Sequence, residues 1–104
     1  EEHRLNVIVV HPKIEDMIAQ SIQKTATGSF PVLKPDMVNQ LLEKLGNLHH
    51  ELLANQVDHV VLASPKIRLA FRKIIAFNFP DIAVLSLNEI PNEIMIETVG
   101  NIEF

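Results

Sequence analysis

The hydrophobic residues of this chain fall into short continuous runs and into stretches with helical spacing. Continuous runs at 5–10 (LNVIVV), 59–63 (HVVLA) and 82–87 (IAVLSL) predict three buried strands. The segment 94–99 (IMIETV) alternates instead, with one mainly apolar face and one mixed face, which is typical of a strand at a sheet edge. The pattern therefore predicts four strands.

Apolar residues spaced three or four apart predict three helices, over about 12–25, 35–55 and 64–78. Each has a proline at its start, where a missing backbone N–H is tolerated. In the third helix, Ser64 is expected to act as the N-terminal cap and Pro65 to lie in the first turn. The predicted inner face of this helix consists of Ile67, Ala70, Phe71, Ile74 and Ile75.

These elements predict an α/β fold with a small, mostly parallel sheet, in the order β-α-α-β-α-β-β, with the helices packed on the sheet. The first three strands should be parallel because their crossovers should be right-handed, whereas the fourth should join antiparallel through the short connection 88–92. We expect residues 1–104 to form a single α/β subdomain. The expected centre of the core comprises Val60, Val61, Leu62, Val84 and Leu85 in central strands, with Phe71 and Ile75 packed on them.

Two glycine-containing stretches interrupt the helical pattern. Thr27, Gly28, Ser29 and Pro31 are expected to form a loop between the first two helices. Gly46 lies inside the second helix, where glycine costs up to ~1 kcal/mol relative to alanine. We therefore expect a close packing contact or a slight bend at Gly46.

Composition excludes several classes of function. The formal net charge is −4, which argues against general nucleic-acid binding because that usually requires a strongly basic face. No cysteine is present, which excludes disulfides and thiolate metal sites. The sequence contains neither a signal peptide nor an apolar run of ~18 residues. Because it begins with Glu, we expect a fragment of a longer protein, and a membrane anchor upstream is compatible with this.

Few residues have the spacing of a catalytic or metal site. The three glycines are not clustered after any strand, which argues against a phosphate-binding loop. Ser64, with His59 nearby in sequence, loosely resembles a hydrolase nucleophile but lacks the flanking glycines, so helix capping is the favoured interpretation. Adjacent His49 and His50 point ~100° apart on a helix, so we expect two solvent-side histidines rather than a metal site.

Basic residues are concentrated in one segment, which contains four of the nine in the chain: Lys66, Arg68, Arg72 and Lys73. We expect them on the outer side of the third helix, either as an ordinary solvated face or as a docking surface for an acidic protein. Exposed charges contribute within about ±0.5 kcal/mol each. Reversal of Arg68 and Arg72 to glutamate is therefore expected to leave the fold intact.

Three segments, VLASPKIR at 61–68, FPDIAVLSLNEIP at 79–91 and IETVGNI at 96–102, resemble the FlhA family of flagellar and virulence type III export gate proteins. HPKIE at 11–15 and TATGSF at 25–30 extend the resemblance over nearly the whole chain, and the strings are more similar to the flagellar branch. The chain departs from the family at Leu87, where members often carry Tyr, and at Asn92, where they often carry Pro.

The resemblance implies a non-enzymatic docking and gating module without catalytic residues, cofactor or metal. It implies the last subdomain of a cytoplasmic region at the inner membrane, which touches the membrane only through an absent N-terminal part. The implied partners are other subdomains and subunits of a nonameric export gate ring, and export chaperone–substrate complexes, but no nucleic acid. Because four cations lie close together on an otherwise acidic chain, we expect these basic residues to contact either a neighbouring part of the ring or an incoming export complex.

Two other functions remain open. A small phospho-carrier or regulatory α/β domain would use His11 or Ser64 as the acceptor, although His11 at a strand end is otherwise expected to be a polar loop residue. Such a carrier needs an anion-binding nest, and the sequence offers no glycines to build one. A hydrolase fragment is the third alternative. We expect no hydrolase, phosphotransfer or metal-dependent activity.

Overall fold

The computed structural model describes residues 4–25, 28–31 and 33–103, with the backbone alone for 23–25 and 28–31. The elements in chain order are β1 (Arg4–Val10), α1 (Pro12–Ser21), β2 (Ile22–Thr25), β3 (Gly28–Pro31), α2 (Pro35–Ala54), β4 (Val60–Leu62), α3 (Arg68–Ile75), β5 (Val84–Leu85), a 3-10 turn (Leu87–Glu89) and β6 (Met95–Ile102). The predicted α/β class and the three helices are confirmed.

The main sheet has four parallel strands in the order β5-β4-β1-β6. β1 and β4 are central, and the register of β1 on β4 pairs Ile8 with Val61. Since β5 lies at an edge, the prediction that it is a central strand is wrong. Val61 and Val84 are buried as predicted, whereas the other three residues of the expected core strands, Val60, Leu62 and Leu85, are half-buried.

The last strand differs from prediction in both direction and neighbour. β6 runs parallel to β1, with Arg4 opposite Met95 and Val10 opposite Ile102, and does not pair antiparallel with β5. Because β5 and β6 are parallel, the chain must return after β5 to the end of the sheet at which β5 began. β5 contains only two residues, so this return is short. Nine residues, 86–94, separate the two strands. At ~3.3 Å per residue they can reach about 30 Å, which is enough to cross to the far edge.

The predicted loop after the first helix is partly a second, two-stranded sheet. α1 ends at Ser21, earlier than predicted, and β2 pairs antiparallel with β3, from Ile22 opposite Pro31 to Thr25 opposite Gly28. Thr27, also expected in the loop, lies outside the described residues. The hairpin contacts α1 and α3, so it belongs to the folded body of the domain.

One buried cluster joins the sheet to all three helices. The predicted inner face of α3 is confirmed, because Ile67, Phe71 and Ile75 are fully buried, Ala70 is buried and Ile74 packs against the cluster. The buried members of the cluster are Ile8, Val10, Ile14, Ile18, Leu41, Leu45, Val61, Ala63, Ile67, Ala70, Phe71, Ile75, Ile82, Val84 and Ile102.

Gly46 marks a close contact between α2 and the loop before β5. A Cβ atom at Gly46 would lie 3.3 Å from Cζ of Phe79, which is tighter than an ordinary van der Waals contact. The expected packing contact is therefore confirmed. Gly100 of β6 plays a similar part, because a Cβ there would lie 3.2 Å from Cδ2 of Leu48. These two glycines let α2 pack closely on its neighbours.

The start of α3 differs from prediction. The helix begins at Arg68, after a turn, and its N-cap Ile67 provides no side-chain hydrogen bond. The backbone N–H of Ser64 instead donates to Oε2 of Glu15 at 2.8 Å, which ties the end of β4 to α1. The proposed capping role of Ser64 is wrong, because its side chain lies one turn before the first helical residue.

Candidate interaction surface around the third helix

Two of the four predicted contact residues are directed back onto the domain. Nε of Arg68 lies 3.3 Å from Oε1 of Glu89 in the 3-10 turn, and the Arg68 side chain is only 31% exposed. Nη2 of Arg72 donates to the carbonyl oxygen of Pro80 at 3.1 Å. Nη1 of Arg72 is buried and has no hydrogen-bond partner in the part of the chain that is described. The expectation that Arg68 and Arg72 are simply exposed charges is therefore wrong.

The 3-10 turn that receives Arg68 is itself capped. Oε1 of Glu89 accepts from the backbone N–H of Ser86 at 2.8 Å and from Ser86 Oγ at 3.1 Å. Ser86 Oγ also bonds Asn88 Oδ1. The pKa of Glu89 is lowered, chiefly by the hydrogen bond from the Ser86 backbone N–H. The Ser86 hydroxyl and Arg68 also lower this pKa, whereas desolvation raises it. Arg68 thus fastens α3 to an ordered turn.

The other two cations face solvent. Lys66 lies in the turn that precedes α3, and its Nζ is 3.8 Å from Oδ1 of Asp16, with both side chains more than 60% exposed (63% and 66%). Lys73 is exposed on α3. An ion pair this open contributes ~0–1 kcal/mol. Of the four predicted contact residues, Lys66 and Lys73 are thus the two that are exposed.

Exposed apolar side chains, which were not among the predicted contact residues, accompany these lysines. Leu69 is 62% exposed and Phe77, just beyond the end of α3, is 94% exposed. Leu69, Lys73 and Phe77 are spaced four residues apart, so they follow one side of the helix and its continuation. The signal was available in the sequence, because both apolar residues fall outside the predicted inner stripe. We call Lys66, Leu69, Lys73 and Phe77 the α3 outer surface.

The histidines are arranged differently from prediction. His50 is exposed as expected, but His49 is half-buried, with its Nδ1 2.8 Å from Nε2 of His59. Burial is the largest cause that lowers the pKa of His49, followed by His59 and His50, while Asp81 acts in the opposite direction. Sequence reasoning missed this pair because ten residues and a change of element separate its members.

The candidate acceptor residues have structural roles. Nδ1 of His11 accepts from the backbone N–H of Lys13 at 3.1 Å and so caps α1. Oγ of Ser64 is buried and forms no hydrogen bond within the described residues. The ring nitrogens of His59 bond Val57 and His49 instead, so His59 is not oriented as a base for Ser64.

No cluster of three or more potential metal ligands occurs among residues 4–25, 28–31 and 33–103. Over the same described ranges, no helix combines the length and apolar character that a membrane crossing requires.

Comparison with known proteins identifies the family. Residues 1–95 match the FHIPEP family. The chain belongs to this family. Among curated relatives of this FHIPEP chain, the flagellar biosynthesis protein FlhA of Bacillus subtilis is 26% identical over 103 residues, which are 99% of this chain and 15% of that protein. The invasion protein InvA of Salmonella typhimurium is 30% identical over 98 residues, which are 94% of this chain and 14% of that protein. The resemblance to the FlhA family is thus confirmed.

Solved structures match the fold of the FHIPEP chain closely. The Chlamydia pneumoniae CdsV protein has a TM-score of 0.81 at 35% identity over 97% of this chain and 29% of that one. The nonameric EPEC SctV-C has a TM-score of 0.80 at 28% identity, over 95% of this chain and 29% of that one. A complex of the Chlamydia pneumoniae CdsV and CdsO proteins contains a match of 0.79 at 34% identity over 97% and 30%. The FHIPEP chain thus corresponds to under a third of these solved chains.

Proposed function

We propose that this chain is a non-enzymatic docking and gating module of the bacterial flagellar type III protein export gate. It helps the gate to receive export substrates and their chaperones at the cytoplasmic face of the inner membrane. The observation that carries the proposal is the match of nearly the whole chain, in sequence and in fold, to FlhA and to SctV-C. The flagellar assignment rests on the sequence strings, since an invasion protein is also among the relatives.

In this proposal, residues 1–104 are the last subdomain of a longer cytoplasmic region. Its first partners are the neighbouring subdomains and subunits of the ring, consistent with the nonameric state of SctV-C. The membrane is reached only through parts of the protein outside this sequence. The complex of CdsV with CdsO supports the idea that a protein with this fold binds another protein. No cofactor, metal or nucleic acid takes part.

The α3 outer surface is the proposed contact for an acidic protein surface of an incoming export complex. Lys66 and Lys73 supply positive charge on a domain whose net charge is −4, and Leu69 and Phe77 supply apolar area beside them. Opposite charge speeds association, whereas buried aromatic and aliphatic anchors slow dissociation. Arg68 and Arg72, the other two predicted contact residues, support this surface by fastening α3 to the turns beneath it.

The test uses the full-length parent protein in a strain that depends on it for export. The double variant Lys66→Glu/Lys73→Glu should lower secretion of export substrates without lowering the amount of the gate protein. The matched control, Lys13→Glu/Lys34→Glu, makes the same charge change at two exposed lysines outside α3 and should secrete normally. Leu69→Ala/Phe77→Ala should also lower secretion, because it removes the anchors while keeping the charge.

Binding of purified export complexes to the cytoplasmic region separates docking from assembly. Rising salt should weaken wild-type binding and should have less effect on the Lys66→Glu/Lys73→Glu variant. Normal secretion and binding by a well-folded double variant would contradict the docking role. Loss of ring formation with unchanged binding to isolated subunits would instead make the α3 outer surface a contact between subunits. Enzymatic turnover by the wild-type protein that Ser64→Ala abolishes would contradict the non-enzymatic assignment.

A further inference from the structure

Three aromatic rings meet at the end of the main sheet where β4 and β5 begin. His49 lies in α2, His59 directly precedes β4, and Phe79 lies in the segment between α3 and β5. The His49 ring centroid is 4.9 Å from that of His59 and 5.7 Å from that of Phe79, with edge-to-face geometry in both pairs. Phe79 also packs against Gly46 one turn earlier in α2. The rings therefore connect three segments that are distant in sequence.

The hydrogen bonds fix which ring nitrogen carries the hydrogen when both histidines are neutral. The carbonyl oxygen of Val57 can only accept, so the Nδ1 atom of His59, 3.0 Å away, must carry a hydrogen. In neutral His59 the Nε2 atom is then an acceptor, and Nδ1 of His49, 2.8 Å away, must donate to it. Each ring is thus held as the Nδ1–H tautomer, with the orientation of one set by the other.

We propose that the His49–His59 hydrogen bond is an acid-sensitive clamp that holds α2 against the segments that enter β4 and β5. The clamp tolerates one added proton, because His59 protonated on Nε2 can donate to His49 if that ring exchanges its tautomer. A second proton places N–H against N–H and two positive charges across a 2.8 Å contact. Double protonation therefore opens the clamp.

The charged groups around the pair come from all three segments. His50 on α2 adds positive charge when protonated, whereas Asp81 of the segment before β5 favours protonation of His49. The two histidines line a cavity of about 260 Å³. Asp58, Asp81 and the apolar side chains of Leu53 and Ile82 line it as well. Both carboxylates are on exposed residues, so solvent screens their attraction for the imidazolium. The pKa of His49 is lowered, so burial and the neighbouring histidines together outweigh the attraction of Asp81 for the protonated ring.

Opening should loosen specific backbone contacts. The N–H of Val57 donates to the carbonyl of Leu52 at 2.8 Å, which closes the end of α2 onto the connection to β4. The N–H of Val61 donates to the carbonyl of Ala83 at 2.9 Å, which joins the starts of β4 and β5. Because the pKa of His49 lies below its ordinary 6.5, the unfolded chain binds more protons below that pH. The free energy of unfolding must then decrease as the pH is lowered. The folding constant falls by up to about tenfold for each unit by which the His49 pKa differs between the unfolded and folded states.

The first test reads the tautomers directly in the wild-type 104-residue chain. Nitrogen-15 spectra of the histidine side chains at pH 7.5 should show Nδ1–H for both His49 and His59. On acidification the His49 ring should gain its proton below its ordinary pKa of 6.5, and amide hydrogen exchange at Val57 and Val61, corrected for its intrinsic pH dependence, should accelerate over the same pH range. An Nε2–H tautomer at His59, or protection at both amides that does not change with pH, would overturn the proposal.

The second test compares variants by urea unfolding between pH 5 and 8, followed by far-UV circular dichroism because the chain has no Trp or Tyr. His49→Phe keeps an aromatic ring against Phe79 and His59→Gln keeps a polar side chain, yet each removes one imidazole of the hydrogen-bonded pair. Both should lose less stability on acidification than the wild type. The matched comparison His50→Gln, at the exposed neighbour, removes only a lesser cause of the lowered pKa of His49, so it should stay closer to the wild-type curve than either clamp variant. Equal pH slopes in the wild type and both clamp variants would overturn the proposal, even if one variant were globally weakened.

Discussion

The two faces of α3 use the same eight-residue helix for different purposes. On the inner face, Phe71 and Ile75 are fully removed from solvent, and their packing joins the helix to the sheet. On the outer face, Leu69 is exposed and Phe77 continues the same side almost entirely in solvent. Apolar character alone therefore does not separate core residues from surface residues here. Position on the helix relative to the sheet does.

The basic residues divide along the same boundary. Arg68 and Arg72 reach back to Glu89 and to the carbonyl of Pro80, so they act as fasteners between α3 and the neighbouring turns. Lys66 and Lys73 are exposed to solvent. The arginine guanidinium can form several directed hydrogen bonds, whereas a lysine ammonium is a compact and strongly hydrated charge. A cluster of cations in sequence can thus contain two physical roles.

The strongest test of this comparison removes one aromatic ring from each face. Phe71→Ala should destabilise the chain by about 3–5 kcal/mol, because it deletes a fully buried ring and leaves a cavity. Phe77→Ala should change the free energy of unfolding by no more than about 0.5 kcal/mol, because its ring is already exposed. Urea unfolding followed by circular dichroism measures both. Equal losses from the two variants would mean that the helix is oriented wrongly.

A smaller effect is expected from the internal fastener Arg72. Arg72→Met keeps the apolar stem but removes the hydrogen bond to the Pro80 carbonyl, which costs about 1 kcal/mol. The net loss should be somewhat smaller, because the same change also removes the buried Nη1, which has no partner among the described residues. Lys66→Met, which removes a cation from an exposed position near the same helix, should cost less. If the two changes were indistinguishable in urea unfolding, the distinction between fastening arginines and exposed lysines would fail for Arg72.

A pH experiment sharpens the role assigned to Arg68 and its partner. The pKa of Glu89 lies below its ordinary 4.5, mainly because of the Ser86 backbone N–H, so the folded carboxylate resists protonation. Its stabilising contribution is therefore complete above pH 4.5 and is lost as pH falls through the folded pKa. The decline in the urea midpoint between pH 6 and 3 should be shallower in Glu89→Gln than in the wild type. Exposed Glu93→Gln serves as the control and should keep the wild-type slope.

Sequence patterns predicted the parts of the fold that depend on local periodicity. The inner face of α3 and the extent of α2 follow from apolar spacing, and the contact at Gly46 follows from an unfavourable residue inside a helix. The direction of β6 was predicted wrongly because strand pairing depends on where a nonlocal connection can reach. The short β2–β3 hairpin was missed because its four-residue strands carry little periodic signal.

The site was less predictable than the fold for a related reason. Charge counts located the basic segment, but they could not show that Arg68 meets Glu89, twenty-one residues later in the chain. The His49–His59 bond likewise joins two elements and has no signature in sequence spacing. In contrast, the exposure of Phe77 was accessible, because the residue falls outside the predicted inner stripe of α3. Pairwise contacts between elements are what the sequence alone could not supply.

The smallest expected effect concerns the ion pair between Lys66 and Asp16. Its atoms are 3.8 Å apart and both side chains are mostly exposed, so solvent screens the attraction and little order is gained. Lys66→Ala and Asp16→Ala should each change stability by no more than about 0.5 kcal/mol. A double-mutant cycle between them should give a coupling of ~0–1 kcal/mol that decreases as salt is added. A coupling well above that range and insensitive to salt would make Lys66 a third internal fastener, like Arg68 and Arg72.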